Sequence, residues 1–89
     1  MDITVEISYY PLDPEFEEPI IEFIRTIEGS KNVKVQSDHM STLIGGNYKD
    51  VMQLLTESIK PFLKKYPSVF VLKITNACRT FNSGKEPGI

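Results

Sequence analysis

The sequence predicts an α+β domain of the ferredoxin-like βαββαβ type, a four-stranded antiparallel sheet with two helices on one face. Three observations carry that expectation. Two segments space their apolar residues as helices do, around residues 16–27 and 48–63. Four β-prone runs flank them in the order one, two, one. The chain has 89 residues, room for one compact domain and not for two.

Ile3, Val5, Ile7 and Tyr9 alternate with Thr4, Glu6, Ser8 and Tyr10, the period of two that turns one face of a strand toward a core. Pro11 and Pro14 end the run, and Asp13 is placed to cap a helix starting just beyond it. Phe16, Ile20, Phe23, Ile24 and Ile27 then recur at helical spacing, with Glu15, Glu17, Glu18, Glu22, Arg25 and Glu28 on the opposite side. Pro19 cannot donate to the carbonyl of Glu15, so this helix either starts close to Pro19 or is kinked there. Gly29 is a natural stop.

Two short runs, Val33–Gln36 and Met40–Ile44, are separated by Ser37-Asp38-His39, a gap short enough for a hairpin. Gly45-Gly46 closes the second run, Asn47 can cap a helix, and Asp50 stands where the partner of a capping box belongs. Tyr48, Val51, Met52, Leu55, Ile59, Phe62 and Leu63 form the apolar stripe of a second helix, which Pro61 should bend in its last turns. Lys60, Lys64 and Lys65 complement the dipole at its end. The run Val69–Ile74 is apolar at nearly every position and reads as a strand covered on both faces. The domain is expected over residues 1–81, with 82–89 a loose tail.

Right-handed crossovers put both helices on one face of the sheet and leave the other open. Val69 and Val71 are candidates for that open face, and a ligand, a partner sheet or both would cover it. A domain of this size buries only roughly 60–65% of its unfolded surface, so its core is marginal and a second copy would help.

The net charge of −2 and the pI near 5.3 argue against nucleic acid as a partner, because phosphate binding needs a basic stripe. Cys78 stands alone, which rules out an internal disulfide and suits a reducing compartment. Met1 runs directly into the strand-like segment from Ile3, with no charged region and no apolar region of a leader, so none is expected, and no run reaches the roughly 20 apolar residues of a membrane span. The expected location is the cytoplasm, with no membrane partner.

No catalytic signature is present. The single His39 has no positioned nucleophile, and His39 and Cys78 are too far apart for metal-ligand spacing. Gly45-Gly46-Asn47 lacks the glycine pattern and lysine of a phosphate loop, and Pro11–Glu15 offers no Arg for an acyl phosphate. The expectation is a protein that is not an enzyme and carries no metal or cofactor. What stands out is the density of short polar side chains from Ser37 to Thr42. It can be a plain hairpin turn. It can also be a binding element, in which Asp38, His39, Ser41 and Thr42 offer mixed donors and acceptors, joined by Ser8 and Tyr10 from the first strand. Such a set suits a planar, nitrogen-rich heterocycle. Tyr9, Tyr10 and Phe70, each taken alone, fit a core as readily as a stacking platform.

Tyr10-Pro11-Leu12, the acidic connector to Phe16, the run Ser37-Asp38-His39-Met40-Ser41-Thr42-Leu43-Ile44 with Gly46, and the helix containing Val51 resemble the YkoF-type thiamine/hydroxymethylpyrimidine-binding proteins. The resemblance covers about Ile3–Asn76, and its most specific part is Asp38–Gly46. It implies a non-catalytic carrier or salvage protein that binds thiamine or its hydroxymethylpyrimidine moiety. It also implies association through the open sheet face, since single-repeat relatives form dimers or tetramers and YkoF-type chains carry two repeats. A homodimer or homotetramer would then replace the tandem. Gly45 departs from the pattern, standing where relatives often carry a charge.

An aminopyrimidine presents ring acceptors beside an amino donor, which a hydroxyl and a carboxylate meet together. The resemblance thus assigns Asp38 and Ser41 to the pyrimidine edge, Thr42 to support and Tyr10 to stacking, while His39 either touches ligand or orders the hairpin. The thiazolium is a cation that Tyr10 or a carboxylate such as Glu6 would stabilise. Strand alternation turns Ser41 and Thr42 to opposite sides unless a bulge intervenes. The rival expectation is a domain that only oligomerises, with the polar hairpin purely structural.

Overall fold

The expected order of elements is present. In a computed structural model that describes residues 1–12, 14–15, 17–37 and 41–77, β1 (Asp2–Pro11), α1 (Glu17–Glu28), β2 (Val33–Ser37), β3 (Thr42–Asn47), α2 (Tyr48–Lys65) and β4 (Ser68–Thr75) succeed one another along the chain. The strands form one four-stranded sheet in the order β2-β3-β1-β4, every neighbouring pair antiparallel. This is the ferredoxin-like α+β arrangement.

The local sequence explains the element boundaries. α1 begins at Glu17, which places Pro19 in its first turn. There the missing N–H has no intrahelical partner to lose, so no kink is needed. Glu17 and Glu18 in the first turn and Arg25 in the last complement the helix dipole. The expected cap Asp13 and the core candidate Phe16 lie outside the described residues. At the start of α2 the Asn47 Oδ1 accepts the Lys49 N–H at 3.1 Å, the capping bond expected of that residue. The helix continues past Pro61 to Lys65, and the Tyr66 N–H closes it by donating to the Phe62 carbonyl at 2.9 Å. Tyr66 and Lys65 also join α2 to α1. The Tyr66 hydroxyl donates to Glu22 at 3.3 Å and Lys65 pairs with Glu22 at 3.7 Å. The Tyr66 hydroxyl, with the Glu22 charge, holds the Lys65 ammonium above its ordinary pKa.

The core lies between the helices and one face of the sheet. Ile3, Val5, Ile7, Phe23, Ile27, Ile44, Val51, Leu55 and Phe62 are buried there. Tyr9 belongs to this side. Its ring stacks on Phe70 at 4.3 Å, lies edge-on to Phe23 at 5.4 Å, and its hydroxyl shares a 3.1 Å hydrogen bond with Ser68. Phe23 and Phe62 cross almost at right angles, 5.3 Å apart. Tyr9 and Phe70 are therefore core residues, and neither is a stacking platform.

Two expectations need correction. β4 is an edge strand, and among the described residues it is covered only on its helix side, around Phe70. Val69 and Val71 are each 43% exposed on one face, and Leu72 and Ile74 are exposed on the other. The helices pack mainly across β1, β2 and β3, so β4 pairs with β1 alone and meets the helices through Phe70, whose ring lies 5.2 Å from Phe23. A continuous apolar run means burial on both faces where helices lie on both sides, which is not the case here. Tyr48 and Leu63, counted in the stripe of α2, are also exposed, because they flank the contact surface of that helix. Among the described residues no helix is long and apolar enough to cross a membrane.

Candidate functional site

The register of the sheet decides which polar groups meet. Ile3, Val5 and Ile7 point to the helices, so Thr4, Glu6, Ser8 and Tyr10 share the open face. Leu43 and Gly45 of β3 lie beside Glu6 and Thr4 on that face, and Lys34 and Gln36 of β2 lie beyond them. From β4 come Val69 opposite Tyr10, Val71 opposite Ser8 and Lys73 opposite Glu6.

Glu6 stands at the centre of this surface. One carboxylate oxygen accepts the Ser41 hydroxyl at 3.3 Å, and the other lies 3.7 Å from the Lys73 Nζ. Flanking strands on both sides shield the Glu6 side chain to 34% exposure, whereas that of Lys73 is 78% exposed. Ser8 is half-buried and Tyr10 is 52% exposed at the end of the face, where its ring is available for stacking. The surface thus grades from an aromatic and aliphatic end (Tyr10, Val69, Val71) to a polar middle (Ser8, Ser41, Glu6, Lys73).

Of the residues expected to form a site, the structure brings Ser41, Ser8 and Tyr10 onto one face. Thr42 is on the other. It is 5% exposed, opposite Ile7 on the helix side, and its hydroxyl shares a 3.2 Å hydrogen bond with Ser37 across the β2–β3 pair. Ser41 and Thr42 are thus separated by the sheet itself, as alternation requires. Asp38 and His39 lie outside the described residues, as does Cys78.

Sequence patterning does not single out Lys73, and it offers Glu6 only as a cation partner. A signal exists for both: Glu6 lies in the polar phase of β1, and Lys73 breaks the apolar run of β4. Their pairing depends on β1 and β4 lying side by side, which no local pattern reveals.

Chemically, this face offers a partly shielded carboxylate, the hydroxyls of Ser8 and Ser41, the exposed phenol ring of Tyr10 and the exposed ammonium of Lys73. Such groups bind and orient a polar ring. Among the described residues no group of three or more His, Cys, Asp and Glu could hold a metal ion. A shallow depression of about 400 Å³ elsewhere on the surface is lined by Glu18, Ile21, Glu22, Arg25 and Thr26. All five belong to α1, and a single helix face cannot enclose a ligand.

Known proteins place the chain further. The model of the YKOF-related family matches residues 2–81. No curated protein matches the chain. Among solved structures, a candidate thiamine biosynthesis/salvage protein of Thermotoga maritima superposes with a TM-score of 0.76 at 20% identity, covering 86% of this chain and 85% of that one. A hypothetical protein of Methanocaldococcus jannascii gives 0.73 at 20% identity, over 92% and 87% of the two chains. A protein of Streptococcus pneumoniae gives 0.73 at 15% identity, over 94% of each. At such identities the likeness is one of fold.

Proposed function

The chain belongs to the YKOF-related family, and from that premise we propose that it is a non-catalytic protein whose open sheet face binds thiamine or its hydroxymethylpyrimidine moiety, in salvage or transport. The observation that carries this reading is the convergence of Ser41 on the Glu6 carboxylate at the centre of an uncovered face, with Ser8 and Tyr10 beside it. The similarity to the Thermotoga maritima protein supports the choice of ligand.

In this reading Ser41 and Asp38 meet the pyrimidine edge, and His39 orders the same turn or touches the ring. Tyr10 stacks, Ser8 adds a hydroxyl, and Glu6 meets the exocyclic amino group or the thiazolium. Thr42 acts from beneath the sheet, holding β3 to β2 through Ser37 and so fixing where Ser41 points. No cofactor or metal enters, and the lone thiol suits the cytoplasm. Two or four copies associate through the open face along its aliphatic end, which covers Val69 and Val71 and leaves the Glu6–Lys73 region to the ligand. A second reading, an oligomerisation domain without small-molecule ligand, is favoured by those same exposed valines.

Titration calorimetry with thiamine and with hydroxymethylpyrimidine separates the two. Saturable binding at one site per subunit, or one per subunit pair, is the expected result. No heat up to about millimolar ligand, where binding would be weaker than about 4 kcal/mol, rejects the first reading in favour of the second.

A further inference from the structure

We propose that this face selects a zwitterionic ligand, a cationic or amino-bearing nitrogen heterocycle that also carries a phosphate ester, with Glu6 receiving the ring and Lys73 the phosphate. The inference rests on the binding reading above and extends it to the charge of the ligand.

Glu6 and Lys73 are direct register partners on β1 and β4, on the same side of the sheet. Their separation of 3.7 Å is long for an ion pair, and the two members differ in freedom. Glu6 sits on an inner strand, two-thirds shielded, with a second bond from Ser41. Lys73 sits on the edge strand with its ammonium in water. An exposed pair of this kind is weak, so Lys73 is a counter-ion that a ligand can displace. Glu6 stays in place.

Exchange of partners then ranks ligands by charge. A cationic ring that replaces Lys73 at Glu6 leaves a solvated ammonium behind, which costs little. An anion alone draws Lys73 away and leaves a partly shielded carboxylate without its counter-ion, which costs more. A zwitterion replaces both partners at once and leaves no charge uncompensated. A lysine ammonium meets phosphate as a compact point charge on a flexible stem, with the reach to track an ester beside the ring. The expected order of affinity is a phosphorylated cation first, the bare cation second and inorganic phosphate last.

The test is calorimetry on the full chain with thiamine, thiamine monophosphate and inorganic phosphate, on wild type and on K73M, K73R and E6Q. Wild type should bind thiamine monophosphate about fivefold or more tightly than thiamine, the scale of one exposed charge pair. In K73M the ratio of the two affinities should fall to about one, and K73R should restore the preference. E6Q should weaken both thiamine compounds by about tenfold. Equal affinity of wild type for thiamine and its monophosphate, or a preference that survives in K73M, overturns the inference and leaves the binding reading standing. If neither compound binds wild type, the binding reading falls and the inference with it. Lys73 is exposed, so its variants should melt within about 2 °C of wild type; the ratio of the two affinities within each variant is the readout, whatever the shift.

Discussion

Substituting Thr42 by Val and Ser41 by Ala separates the two faces of the sheet. Thr42→Val keeps the shape of a nearly fully buried side chain and removes its hydrogen bond to Ser37, 3.2 Å long. A neutral bond of this type contributes about 0.5–1.5 kcal/mol. Ser37 is only half-buried and can recover water as a partner, so the lower part of that range applies, about 0.5–1 kcal/mol. At about 4–8 °C per kcal/mol for a domain of this size, the melting temperature should fall by about 2–8 °C. Thiamine affinity should change by less than about threefold, since the hydroxyl faces the helices. Ser41→Ala reverses the pattern. Its hydroxyl lies on the open face against Glu6, so affinity should fall about tenfold with a melting shift under about 3 °C. Thermal denaturation by circular dichroism and calorimetric titration, run on the same preparations, give both numbers. A tenfold loss of affinity in Thr42→Val at unchanged stability would refute the assignment of the open face, because it would require the ligand to reach the helix side.

Other consequences can be checked with the same tools. Phe23→Ala removes a ring packed 5.2–5.4 Å from Tyr9, Phe62 and Phe70, and should cost about 3–5 kcal/mol, read as a large fall in the urea midpoint. Pro61→Ala restores a backbone donor toward the Glu57 carbonyl at an exposed helical position. After the entropy lost from the unfolded reference it should stabilise by about 1–2 kcal/mol, and an unchanged melting temperature would show that α2 had already absorbed the proline. Val71→Asp places a charge in the aliphatic end of the open face, so sedimentation should show monomers of the variant and a dimer or tetramer of the wild type. A monomeric wild type would refute association through this face.

The elements and their order were determined by sequence alone, because they rest on local rules. A period of two marks β1, a period near 3.6 marks α1 and α2, and Asn47 announces a cap through its own side chain. The same alternation assigns Ser41 and Thr42 to opposite sides without knowledge of any contact. The lateral arrangement was a different matter. That β4 is an edge, with Val71 and Leu72 exposed on opposite faces, comes from the strand order and from where the helices lie, and its apolar run reads the same for a central strand. The centre of the candidate site had the same origin. Glu6 meets Lys73 and Ser41 only because β1 runs between β3 and β4. Sequence determines which side of its own strand a residue takes, since that depends on one backbone. Which residues become neighbours across strands depends on pairing and register between segments distant in sequence, and only the tertiary structure decided that.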